Sequence, residues 1–205
     1  MRGQNWKAHG GQNTGKAETT TDNSHYGKLP EGWAICRLNN LGQIIGGGTP
    51  RTEESIYWND GTIPWITPAD LSGYTDKYIS EGSRKITEQG LNSSSATLMP
   101  AGTVLFSSRA PIGYTVIAAN EVCTNQGFKS VSPYISGVSE YIYYWLITQI
   151  EEIHSRASGT TFKEISGTEF GNTVILLPPL QEQRRIVMAI EESLAVLKRI
   201  AASLN

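Results

Sequence analysis

The chain has few of the residues that make metal and redox sites. It holds 3 histidines in 205 residues, and two of them, His9 and His25, stand in a polar N-terminal stretch, which leaves His154 alone in the body of the chain. A multi-histidine metal site is thereby excluded there. The 2 cysteines, Cys36 and Cys123, are too few for a disulfide framework and have no C-x-x-C spacing, so they read as free thiols of a cytosolic protein. No run of about 18 apolar residues exists to span a bilayer, and the polar N-terminus has no hydrophobic region of a secretory signal. The sequence reads as soluble and non-membrane.

Positive charge is also scarce. The net charge is -2, and between Lys28 and Pro179 acids outnumber bases 14 to 10. Phosphate neutralisation usually shows as a basic domain. Any nucleic-acid contact must therefore be local or shared with a more basic partner.

Catalytic patterns are missing too. Gly10-x-x-x-x-Gly15-Lys16 has phosphate-loop spacing, but Ala17 follows where a Ser or Thr hydroxyl would hold magnesium, and no strand precedes it. There is no Gly-x-Ser-x-Gly elbow, and His154 reads as an imidazole at a helix end. Asp60, Asp70, Asp76 and Glu81 are scattered, with no spacing that names a reaction. Gly46-Gly47-Gly48 lacks the spacing of a dinucleotide loop. No catalytic residue, cofactor or metal is expected, and the chain looks like a reader of something rather than a catalyst.

What is present divides into three parts. Residues 1–28, rich in Gly, Gln, Asn and Thr, cannot offset their own ordering entropy and read as linker. Residues 29–179 have the texture of an α/β (α+β) domain with a twisted mixed or antiparallel sheet. "TIPWI", "TVLFSS", "YTVIA" and "GFKSV" read as strands, with a Pro111-Ile112-Gly113 turn. One helix should run from an N-cap at Ser139 through Ile142, Trp145, Leu146, Ile150 and Ile153 to Gly159. Residues 180–205 repeat apolar side chains at Val187, Ile190, Leu194, Leu197, Ala201 and Leu204, in alternating steps of three and four. Those are coiled-coil positions on a rod of about 40 Å, and the stripe, widened by Ile186 and Ile200, requires a partner helix.

Polar residues of the middle part gather at strand ends: Thr49 and Arg51, Thr67 and Asp70, Ser107, Ser108 and Arg109, Asn125 and Gln126. Hydroxyls and amides suit phosphate, and Arg, Asn and Gln suit base edges. The same residues also serve as turn formers, and Arg109 as partner of a core carboxylate. Trp58, Trp65, Tyr74 and Tyr78 could form a stacking surface, with core packing expected for Trp65. The stretch "SGTTFKEIS" contains two capping-box spacings, Thr161-x-x-Glu164 and Ser166-x-x-Glu169, beside Lys163. Helical N-termini with a neighbouring cation favour phosphate, and Phe162 reads as an anchor into the core.

"LPEGW", "GGGTP", "IPWITPADL", "VLFSSRAPIGYTVIA", "TNQGFKSV", "GTTFKEIS" and "LLPPLQEQRRIV", in this order, resemble the target recognition domain of type I restriction-modification specificity subunits. The last four together are specific. The resemblance implies a non-catalytic reader of double-stranded DNA that docks methylation (M) and restriction (R) subunits, the complex methylating adenine in a split target or cleaving DNA remotely. Family members of full length join two such domains by antiparallel helices, each domain reading one half of a bipartite site. Here one domain is present, so the second is expected in the same longer chain or by self-association through the C-terminal helix, and the fragment is the favoured expectation. Thr49, Arg51, Thr67, Lys77, Arg84, Ser108, Arg109, Asn125, Gln126, Lys129, Thr160, Thr161 and Lys163 are the expected DNA-binding positions. Val187, Ile190, Leu194, Leu197 and Leu204 are the expected helix interface. A carbohydrate- or peptide-binding module using the aromatic surface is the alternative, and a hydrolase built on His154 a third.

Overall fold

The computed structural model describes residues 28–109, 111–161 and 163–204; the phosphate-loop-like stretch, His9, His25 and Phe162 lie outside them. Gly32–Asn205 forms one compact unit. Its strands and helices run β1 (Ala34–Arg37), α1 (Leu38–Leu41), β2 (Gly42–Gly46), β3 (Ile63–Ile66), β4 (Tyr78–Ile79), β5 (Arg84–Ile86), α2 (Glu88–Asn92), β6 (Val104–Ser108), β7 (Ile112–Ala118), β8 (Cys123–Thr124), β9 (Lys129–Pro133), α3 (Ser139–Thr148), α4 (Ile150–Ser155), α5 (Gly167–Gly171), β10 (Val174–Leu177) and α6 (Leu180–Ser203).

The centre is a five-stranded sheet of order β2-β9-β6-β7-β4, antiparallel except for the parallel β4–β7 pair. A three-stranded sheet β5-β3-β8 and a two-stranded β1-β10 ribbon flank it. The mixed α/β architecture is as the sequence predicts. Strand β6 has apolar residues in succession because both of its faces are covered: Val104 and Phe106 join one core cluster, and Leu105 joins the other. Strand β7 alternates the same way, with Ile117 on the first face and Val116 and Ala118 on the second. The period of two in side-chain direction thus builds two cores from one strand.

The first core packs helices on the sheet. Ile142, Leu146, Ile153 and Phe170 are fully buried there, and Phe170 stacks on Phe106 with ring centroids 5.0 Å apart. Such a pair adds about 1 kcal/mol beyond its area. The helix expected to run unbroken from Ser139 to Gly159 is two helices. The chain closes tightly at Gln149, whose N–H bonds Leu146 O, and restarts at Ile150. Ile150 lies over Gly113 of β7 so closely that a β-carbon there would meet it at 2.8 Å. The break is a tertiary fit that periodicity cannot show, and α4 ends at Ser155, before Gly159.

The final helix begins after Pro178 and Pro179, as those prolines require, and its 24 residues extend about 36 Å. Val187 is buried in the domain's own core, with Leu180 and Ile186 packed beside it. Gln183 is buried as well, its amide donating to Pro178 O at 2.9 Å. Beyond Glu191 every described residue of the helix is exposed, including Leu194, Val196, Leu197 and Ile200.

Candidate nucleic-acid interface

Strand direction delivers most of the expected residues to one place. Gly46 pairs with Lys129, Ser107 with Phe128, and Ser108 with Ile112, so the end of β2, the start of β9 and the β6–β7 turn share one end of the central sheet. Strands β3 and β8 run parallel and leave Thr67 and Asn125 at their ends, with Asn125 N–H bonding Ile66 O at 2.9 Å. The triple glycine is pressed into this edge. Gly48 N–H bonds Thr124 O at 2.9 Å, and a β-carbon on Gly47 would lie 1.9 Å from Asn125 O. These glycines permit close approach of two backbones. They do not form an open phosphate cradle.

Hydrogen bonds tie the edge together from one side to the other. Thr49 Oγ1 bonds Gln126 Oε1, and Asn125 Oδ1 accepts from Gly127 N–H at 2.8 Å, a turn within the loop. Trp65 is buried and donates its Nε1–H to Gly48 O at 2.9 Å, while Trp58 stands edge-on to it at 5.0 Å. The Arg84 guanidinium lies 3.5 Å over the Trp58 ring, and Trp58 Nε1–H donates to Arg51 O at 3.0 Å. Trp58 thereby carries the Arg84 guanidinium on its ring and holds the backbone of Arg51 at its indole N–H. Thr67 is occupied with Asp70, whose carboxylate accepts from Thr67 N–H and Oγ1–H at 2.7 Å each and from Ser83 N–H at 2.8 Å. Burial pushes the Asp70 carboxyl up, but the bonds from Ser83 and Thr67 outweigh it and hold it below the ordinary carboxylate range.

At the other side of the edge, Glu164 bridges two cations. Its Oε2 meets Arg109 Nη1 at 3.3 Å, and its Oε1 meets Lys129 Nζ at 3.1 Å. Glu164 also closes a small loop by paired backbone bonds with Ser158, which leaves Thr160, Thr161 and Lys163 exposed on that loop. The first capping-box spacing starts no helix, because Glu164 N–H goes to Ser158 O. The second does cap one: Ser166 Oγ accepts from Glu169 N–H at 3.1 Å, opening α5.

Two of the expected positions stand elsewhere. Ser108 is fully buried with its hydroxyl unpartnered, so it presents nothing at the surface. Lys77 lies at the opposite end of the sheet, where its carbonyl accepts from Ile117 N–H, and its ammonium bonds Glu140 and Glu191. Sequence reasoning had no means of finding Glu164, Glu140 and Glu191 as the partners of these cations, since the pairs are 35 to 114 residues apart. Among the aromatics, Trp65 is core and Trp58 is covered by Arg84, while the Tyr74 hydroxyl donates to Tyr78 O and the Tyr78 hydroxyl to Glu140. An open stacking platform does not result. His154 is exposed in the last turn of α4, and among the described residues no three His, Cys, Asp or Glu side chains cluster to hold a metal.

The model of the type I restriction modification DNA specificity domain matches residues 30–202, which take in the whole edge and most of α6. The chain belongs to that family. The specificity subunit of the type I restriction enzyme MjaIX from Methanocaldococcus jannaschii is 41% identical over 175 residues, covering 84% of this chain and 40% of the relative. The solved HsdS subunit from Thermoanaerobacter tengcongensis is 29% identical with a TM-score of 0.64, covering 86% of this chain and 42% of that one. A chain from a structure concerned with complex assembly and conformational transition of the type I R-M system is 32% identical with a TM-score of 0.67, covering 87% and 43%. This specificity domain spans about two-fifths of the length of the curated relatives it matches. No described helix is long and apolar enough to cross a membrane.

Proposed function

We propose that the chain is a DNA target recognition domain of a type I restriction-modification specificity subunit, reading one half of a bipartite duplex target in the cytoplasm. The observation that carries this reading is the convergence, at one end of the sheet, of Arg51, Arg84, Arg109, Lys129 and Lys163 with the amide side chains Asn125 and Gln126. Guanidinium and amide groups suit base edges in the major groove, and the exposed Thr160, Thr161 and Lys163 loop suits phosphate. Thr49 and Thr67, whose hydroxyls are occupied by Gln126 and Asp70, support the edge. The domain supplies no catalytic group in this reading; methylation and restriction subunits, docked on the assembled subunit, supply the chemistry. Because the chain is net acidic, those subunits also supply much of the phosphate contact. The second recognition domain is joined through the exposed stripe of α6, in the same chain or in a second copy.

Selection from a pool of random duplexes tests the reading. The folded chain should enrich one short half-site, and enrichment should collapse when Arg109 and Arg84 are both replaced by Ala. A pool that stays random at low salt, with the chain folded, refutes base-specific reading.

A further inference from the structure

The last helix leaves the domain over a narrow support. Val187 is buried and Ile186 and Ile190 are half-buried against the domain, but clefts open along both flanks of the contact between α3 and α6. One, of about 560 Å³, is lined by Lys77, Tyr144, Ile190 and Leu194; another, of about 250 Å³, by Trp33, Trp145 and Ile186. Ridge-into-groove packing of so few side chains sets a helix direction only to within about 15–20°, the scatter of such crossings. From Glu192 to Ala202 the helix runs about 15 Å with every residue exposed, Leu194 and Lys198 facing the domain only across the first of these clefts, so a rocking of about 10° moves its far end by about 3 Å.

A directional contact sits at the last supported turn. The ammonium of Lys77, with its side chain 19% exposed, bonds both Glu140 on α3 and Glu191 on α6. It lies 5.1 Å from the Tyr78 ring centroid and 5.7 Å from that of Tyr144. The Tyr78 hydroxyl donates to Glu140 at 2.7 Å, and the Tyr144 hydroxyl lies 3.4 Å from Glu191. Lys77 itself is fixed to the sheet, since its carbonyl accepts from Ile117 N–H at 2.8 Å. One cation therefore joins the central sheet, α3 and α6, and without it two carboxylates would face each other across the helix contact. Burial pulls the Lys77 ammonium toward deprotonation, but the bonds to Glu140 and Glu191 outweigh it and keep the group charged.

We infer that Lys77 is a positioning residue: it latches α6 to the domain and sets the helix direction relative to the recognition edge at the opposite end of the sheet. Its consequence rests on the recognition-domain reading. A helix that leads to a second recognition domain converts its direction into the separation of the two half-sites, so a loosened latch would blur the spacing a complex accepts.

The latch is tested in the 205-residue chain by pulsed electron-spin distance measurement between labels at Asn120→Cys and Ala202→Cys, in a Cys36→Ala background. Cys123 is fully buried, and burial pushes its thiol up to about 12, so it escapes labelling. The parent should give one narrow distance distribution. Lys77→Met should widen it and shift its mean by a few ångströms, Lys77→Arg should restore it, and Glu191→Gln should widen it in part. A folded Lys77→Met variant with unchanged width and mean overturns the inference, even if its melting temperature falls, because that would be a purely structural role. Should Lys77→Met not fold, Glu191→Gln decides, and an unchanged distribution there overturns the inference equally. Half-site enrichment from random duplexes is read independently, so a failed latch and a failed recognition reading are told apart.

Discussion

At the level of single residues, two cations of the proposed recognition edge, Arg109 and Lys129, are held by one anion of the chain itself. Glu164 occupies, between Arg109 and Lys129, the place that a phosphate or base oxygen takes in the proposed reading. At such a half-exposed site the two bonds together stabilise the fold by only about 1 kcal/mol, so their exchange for a ligand costs little. Two substitutions should then act in opposite directions. Arg109→Ala should weaken duplex binding by about tenfold or more and, if the guanidinium meets a phosphate, lower the slope of log K against log salt by about 1. Glu164→Gln should strengthen binding to any duplex, because it frees two cations at once. Fluorescence anisotropy over a salt series measures both, and equal affinities for parent and variants would remove the Arg109, Lys129 and Glu164 group from the interface. The cationic side chains were legible as residue types at strand ends. Their counterions were not, since Arg109 and Glu164 are 55 positions apart and only the folded backbone pairs them.

Among the elements, legibility followed local chemistry. The strands containing "VLFSS" and "VIA" were visible because continuous or alternating apolar residues are what a doubly covered strand needs. The break at Gln149 in the helix expected to run to Gly159 was missed because Ile150 packs on Gly113, a contact from another part of the chain. Helix α6 was legible by its period, but the period does not say which part of a stripe is already used. Val187 is spent inside the domain, whereas Leu194 and Leu197 are exposed, 43% and 60%. The coiled-coil reading therefore applies to the outer half, Leu194, Leu197, Ile200 and Leu204. Leu197→Asp should leave the melting temperature of the isolated domain within a few degrees of the parent, since the side chain is 60% exposed there. The same change should abolish association through the helix, as a charge at a seam position does. Sedimentation velocity at rising concentration reads the outcome, and a variant that associates as the parent does would dismiss the outer stripe as an interface.

For the whole molecule, charge and size pose the same question. A domain with more acids than bases cannot hold a duplex by its general field, so in the proposed assembly it contributes selectivity rather than grip. The fold is consistent with that division. Arg109 and Lys129 stand at one end of the sheet with Arg51, Arg84 and Lys163 on neighbouring segments, while acids such as Glu140, Glu151, Glu152 and Glu191 lie on the helices. With about two-fifths of a relative's length, the chain reads one half of a split site in the proposed assembly, and a second domain must read the other half. Methylome sequencing of the host should accordingly show an adenine-methylated motif in two parts separated by unspecified bases. Disrupting this gene should erase that motif and leave the others intact. Replacing residues 67–84, which span Thr67, the Asp70 turn and Arg84, with those of a relative of different specificity should change one half of the motif and preserve the other. A methylome unaltered by gene disruption would contradict the assignment, and a swap that altered both halves would contradict the one-domain, one-half arrangement on which the acidic composition depends.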